Sequence, residues 1–133
     1  MDLDRVVIIG ASLAGVTAAV TLRGDGYDGE LVLVDAAAVL PSDRPPLPKQ
    51  VLAGSKTPEA AGAALSSRLE GVDVDLRLAH RVAGAGFAPD DLRLKFFNDH
   101  ELTADGVVIA TGSSARWPSG FLVDGPESTL NEP

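Results

Sequence analysis

The sequence predicts an α/β fold built on a parallel sheet with helices packed against it, and three observations carry that prediction. Val6 to Ile9, Leu31 to Val34 and Val107 to Ala110 are apolar runs without alternation, the pattern of strands covered on both faces. The first run ends at Gly10, and Gly15 follows five residues later. Beyond the glycines the period changes, because Leu13, Val16, Ala19 and Val20 fall on one face of a helix.

The first unit therefore reads strand, glycine turn, helix. Gly10 takes backbone angles closed to other residues, Ser12 stands where a dinucleotide pyrophosphate would come nearest, and Gly15 lets helix pack on strand. The helix N-terminus offers amide hydrogens and a partial positive charge to phosphate. Serine at the middle position, in place of the usual glycine, narrows the approach but brings a hydroxyl donor. The helix is expected to stop near Arg23, before Gly24, Gly26 and Gly29; the Arg-Gly-Asp triplet there is loop punctuation. Asp35 closes the second strand, twenty residues after Gly15. There it is either a hydrogen-bond partner for a ribose or a solvated strand end.

Pro41, Pro45, Pro46 and Pro48 make the next segment a stiff loop, with a short helix expected over 49–53. Arg44 and Lys49 on that frame are either aimed at an anionic ligand or simply solvated. Thr57 and Pro58 start an alanine-rich helix to about Leu69. Val72, Val74, Leu76 and Leu78 alternate with charged residues as a half-exposed strand. An antiparallel meander follows from Val82 through Leu92, Leu94 and Phe96, with a turn at 98–100 and a short strand over 101–103. Val107 to Ala110 is expected as the last buried parallel strand, and Thr111 and Gly112 end it at the carboxyl edge, where ligands bind in open α/β sheets.

With 133 residues and 45% hydrophobic content, the chain can bury one ordinary core, assigned to residues 1–118, with 119–133 an irregular tail. A net charge of −8 without a basic cluster argues against nucleic acid as a partner. The chain has no cysteine, so it carries neither a redox disulfide nor a thiolate metal site. His80 and His100 lack a surrounding ligand cluster, so no metal site is expected and both are read as surface residues. The N-terminus shows no signal-peptide pattern and no run is long enough to span a bilayer. The expectation is a cytoplasmic protein without membrane contact.

Taken together, GASLAG, the acidic strand end, DRPPLPKQVLAG and VVIATGSSAR resemble the N-terminal part of the FAD-dependent ferredoxin and rubredoxin reductases, of the pyridine nucleotide-disulfide oxidoreductase superfamily. The resemblance runs from about Arg5 to Arg116. It implies a Rossmann-like, three-layer FAD/NAD(P)-binding domain in which electrons pass from NAD(P)H through FAD to a ferredoxin-like iron–sulfur protein. It further implies pyrophosphate contact by Gly10, Ala11, Ser12, Leu13, Ala14 and Gly15, ligand contact by Arg44, and Lys49 beside the flavin as the catalytic residue. Val82 is implied on the adenine side, and Ala110, Thr111, Gly112 and Arg116 along the FAD.

Three positions depart from the family pattern. Ala37 replaces the usual ribose-binding glutamate, leaving Asp35 as its substitute; Ser42 replaces a tyrosine, and Pro48 a serine. The family's NAD(P)H site, interface domain and second FAD segment have no counterpart in this sequence. The chain is thus expected to be a reductase portion inactive alone, or one completed by another polypeptide. The remaining alternative is a cofactor-free interaction or regulatory module that kept the fold. An open sheet edge would also permit a homodimer.

Overall fold

A computed structural model of the chain describes residues 3–41, 52–55, 57–88 and 91–113. Its elements run β1 (Arg5–Ile9), α1 (Leu13–Gly24), β2 (Glu30–Val34), α2 (Pro58–Ser66) with a single 3₁₀ turn (Ser67–Leu69), β3 (Asp75–Arg77), β4 (Val82–Ala88), β5 (Asp91–Phe96), β6 (Glu101–Ala104) and β7 (Gly106–Ile109).

β1, β2, β3 and β7 form a parallel sheet in the order β3-β2-β1-β7, and β4, β5 and β6 form an antiparallel sheet in sequence order. The chain moves outward from β1 to β3 and then returns to the other side of β1. The strand order thus reverses between β1 and β7, the point at which open α/β sheets leave a crevice at their carboxyl ends.

Strand alternation divides the apolar runs between two cores. Val6, Ile8, Leu31 and Leu33 pack with Val16 and Ala19 of α1 and Leu65 of α2. Val7, Val32 and Val34 point the other way, onto Leu94, Phe96, Leu102 and Ala104 of the meander. The result is three layers: helix, parallel sheet, antiparallel sheet. Runs without alternation in β1 and β2 are explained directly, since both faces of these strands are covered.

Local signals behave as the residue types dictate. The Ala60 amide donates to Thr57 Oγ1 at 3.2 Å, capping α2 with Pro58 inside its first turn. The turn after β5 places Asp99 at φ +61°, and the His100 amide donates to Asn98 Oδ1 at 3.3 Å. Two expectations need correction. The strand expected over 72–78 pairs only across Asp75–Arg77: its far end coincides with the end of β2, where Arg77 pairs with Val34, and ahead of it the Asp73 carbonyl accepts from Arg23 Nε at 2.7 Å. The strand β7 is only partly buried: Val108 and Val107 pack half-buried against the two opposite cores, Ile109 is 68% exposed, and among the described residues β7 is the last strand of the sheet. The expected short helix over 49–53 lies mostly, and the tail over 119–133 wholly, outside the described residues.

Leu94 is fully buried in the meander core, whereas Phe87 on β4 is 68% exposed. Leu94→Ala is therefore expected to lower the unfolding free energy by about 2–5 kcal/mol, and Phe87→Ala by less than about 0.5 kcal/mol. Urea denaturation of the two variants checks both values.

Candidate functional site

The glycine turn sits at the reversal point. Gly10 has φ +104°, and a side chain there would strike the Ala110 carbonyl. At Gly15 a Cβ would run into the Gly10 carbonyl oxygen. The Gly10 amide donates to the Val34 carbonyl at 2.8 Å, and the Ala110 amide to Ile9 at 2.8 Å. Backbones that close admit no side chain, so these two positions accept glycine alone.

Immediately after the turn, Ser12, Leu13 and Ala14 are exposed while Ala11 and Gly15 are buried. The first helical bond of α1 runs from the Val16 amide to Ser12 at 2.9 Å. The amides of Leu13, Ala14 and Gly15 precede it and have no acceptor within the helix. Ser12 Oγ donates to the Ala110 carbonyl at 3.4 Å, which turns the hydroxyl toward the strand end of β7. A cradle closed to side chains, beside outward amides at the positive end of a helix, fits an anionic group such as phosphate.

Asp35 stands next to this turn. Its Oδ2 accepts the Ala11 amide at 2.5 Å and its Oδ1 the Ala37 amide at 2.7 Å. On one side of it opens a cleft of about 320 Å³, whose floor is Ile9, Gly10 and Val34 and whose walls include Ala36, His80, Arg81, Val82 and Thr111. That volume is near the lower end of small-molecule sites, room for one portion of a dinucleotide. A smaller recess of about 70 Å³ lies on the other side, between Ala11, Ser12 and Leu40.

The structure thus brings together the turn residues 10–15, Asp35, Val82, Ala110 and Thr111 around the carboxyl end of the sheet. Gly112 follows at φ +69° with open space around it. Arg44, Lys49 and Arg116 lie outside the described residues, as do Ser42, Pro48 and Trp117. Two residues of the cleft carry no signal in the sequence. His80, expected on the surface, is half-buried; its Nδ1 donates to the Leu78 carbonyl at 2.7 Å, and its ring meets Phe96 edge-on at 5.6 Å. Arg81 lies over the Phe97 ring at 5.1 Å. Their proximity to Val82 in sequence is the one hint that could have found them. His100 is exposed, as expected.

A cleft of about 340 Å³ opens at the opposite end of the sheet, among Asp4, Arg5, Glu30 and Asp105. Its charges answer one another: Arg5 pairs with Glu30 at 2.7 Å, and the Arg5 amide donates to Asp105 at 2.7 Å. This end of the sheet is fastened rather than open to a ligand. Among the described residues no group of three or more potential metal ligands comes together, and no helix is long and apolar enough to cross a membrane.

Comparison with known proteins agrees with this geometry. The sequence model of the family described as pyridine nucleotide-disulphide oxidoreductase matches residues 4–130. The ferredoxin–NAD(+) reductase component of the biphenyl dioxygenase system of Paraburkholderia xenovorans is 37% identical over 114 residues, covering 86% of this chain and 27% of the relative. Putidaredoxin reductase CamA of Pseudomonas putida is 34% identical over 113 residues, 85% of this chain and 26% of the relative. Among solved structures, the covalent putidaredoxin reductase–putidaredoxin complex superposes with a TM-score of 0.76 at 32% identity, over 87% of this chain and 27% of the other. The chain spans about a quarter of the length of the curated relatives it matches.

The two positive-φ glycines of the site separate contact from conformation. Gly10→Ala is expected to cost more than about 3 kcal/mol, since conformational strain of about 1–3 kcal/mol adds to the collision with Ala110. Gly112→Ala, with open space around it, is expected to cost only about 1–2 kcal/mol. Equilibrium unfolding of both variants measures the difference.

Proposed function

This chain belongs to the pyridine nucleotide-disulphide oxidoreductase family, and we propose that it is the FAD-binding portion of a ferredoxin reductase. The observation that carries this reading is the glycine cradle at the strand reversal, whose Gly10 lies in the floor of the carboxyl-end cleft. The names of the relatives, ferredoxin–NAD(+) reductase and putidaredoxin reductase, support the choice of reaction.

When bound, FAD would supply the conversion of a two-electron donor, NAD(P)H, to one-electron delivery toward an iron–sulfur protein. The share of this chain is to bind and orient. In the proposal, the loop Gly10 to Gly15 takes the pyrophosphate, Val82 borders the adenine side, and Ala110, Thr111, Gly112 and Arg116 line the length of the cofactor. Arg44 contributes a guanidinium suited to an anionic group. Lys49 lies nearest the flavin, where its ammonium stabilises negative charge on the reduced ring. Asp35 belongs to the same site at the ribose end. With no cysteine, this chain has no dithiol chemistry of its own.

We further propose that residues 1–118 make one domain of a cytoplasmic enzyme, with NAD(P)H and a ferredoxin-type partner engaged by protein beyond this chain. The edge of β7, which no other strand among the described residues pairs with and where Ile109 is largely exposed, is the seam at which a completing polypeptide would add to the sheet. A homodimer through the same edge is the competing arrangement, and light scattering of the isolated chain separates the two.

The purified chain, incubated with excess FAD and passed through gel filtration, is expected to keep a flavin absorbance band. A folded but colourless protein would overturn the proposal in favour of a cofactor-free module. Lys49→Ala is expected to raise the dissociation constant for FAD roughly tenfold, the equivalent of about 1.4 kcal/mol, or to slow flavin reduction by dithionite. Equal affinity and equal reduction rate would remove Lys49 from the site.

A further inference from the structure

We infer that Asp35 is a positioning residue, whose carboxylate holds the glycine turn in the shape that receives a phosphate group before any ligand arrives. The inference rests on the nucleotide-binding reading above and gives Asp35 a task other than contact with a ribose.

Both carboxylate oxygens are engaged with backbone, Oδ2 by the Ala11 amide at 2.5 Å and Oδ1 by the Ala37 amide at 2.7 Å. Ala11 is 4% exposed, so its amide is shielded from water and needs a protein acceptor. The turn supplies none of its own there. The backbone of Asp35 is fixed in turn: its amide donates to Arg77 at 3.0 Å, and its carbonyl accepts from His80 at 2.8 Å. The Ala37 carbonyl accepts from Ala79 at 2.8 Å. The side chain of Asp35 therefore ties the turn after β1 to the exit of β2, and backbone bonds of Asp35 and Ala37 tie both to the exit of β3. With the Ala11 amide occupied, the phosphate is left to the amides of Leu13, Ala14 and Gly15, one turn further along.

A carboxylate that binds ribose and one that shapes the turn fail differently. The test compares the isotope-labelled full chain with Asp35→Ala and Asp35→Asn. Hydrogen exchange of the Ala11 and Ala37 amides is followed by NMR, and adenosine, ADP and FAD are each titrated. Asp35→Ala is expected to speed exchange at Ala11 at least tenfold in ligand-free protein. It is also expected to weaken ADP and FAD about tenfold while adenosine changes less than threefold. Asp35→Asn, which keeps the side-chain shape and one oxygen acceptor, is expected to fall between; should Asp35→Ala fail to fold, it decides alone. Unchanged exchange at Ala11, or an adenosine loss equal to that of ADP, overturns the inference. A wild-type chain that binds none of the three ligands refutes the function proposed above, while Ala11 exchange still decides whether Asp35 holds the turn.

Discussion

Where β1 ends, stretches of backbone approach one another more closely than a side chain permits. The missing Cβ of Gly15 leaves room for the Gly10 carbonyl, and the missing Cβ of Gly10 leaves room for Ala110 at the end of β7. These contacts set how near α1 lies to the sheet and how β7 sits beside β1. Because α1 is drawn in, Val16 and Ala19 reach Val6 and Ile8, and burial of those side chains supplies the free energy that holds the turn. The same approach sets the N-terminus of α1, whose first amides have no acceptor within the helix, beside the end of β1. Stability and ligand recognition thus meet at one contact, and a methyl group there would damage both.

The second face of the sheet is covered by different means. A parallel sheet needs protection on both sides, and here the connection from β3 to β7 supplies it as a meander, with Leu94 and Phe96 set against Val7, Val32 and Val34. The insertion lies where it also walls the cleft, since the segment entering β4 carries His80, Arg81 and Val82. Core packing on this face therefore positions one side of the candidate site.

Much of this was legible in the residues. The runs at 6–9 and 31–34, the glycine spacing, and the alternation at Leu92, Leu94 and Phe96 each record a local period, and a local period survives folding. What escaped depended on partners distant in the chain. β7 carries the same apolar signature as β1, yet among the described residues no strand pairs with its outer edge, and no feature of Val107 to Ile109 distinguishes an edge strand from a central one. The strand at 72–78 pairs only where it lies beside Val32 to Val34 of β2, a limit set by its partner that alternation does not encode. His80 reads as a surface residue because Phe96, whose ring its own meets edge-on, is brought to it only by the meander. Asp35 was recognised by its place after β2, while its two amide partners emerge only when turn and strand end meet in space.

β4 is the least protected strand among the described residues. Its sequence, VAGAGFA, carries no charge, six of its seven residues are exposed, and no strand among the described residues pairs with its outer edge. Natural edge strands usually bear a lysine, a proline or an inward charge that spoils pairing with a stranger. This one bears none, so its protection is colloidal: a chain with net charge −8 repels its copies before their edges touch. Such repulsion is screened over about 8 Å at physiological ionic strength. The solubility of the fold is therefore tied to its acidic surface, and substitutions that neutralise distant carboxylates would act as aggregation mutations without altering a single contact in the core.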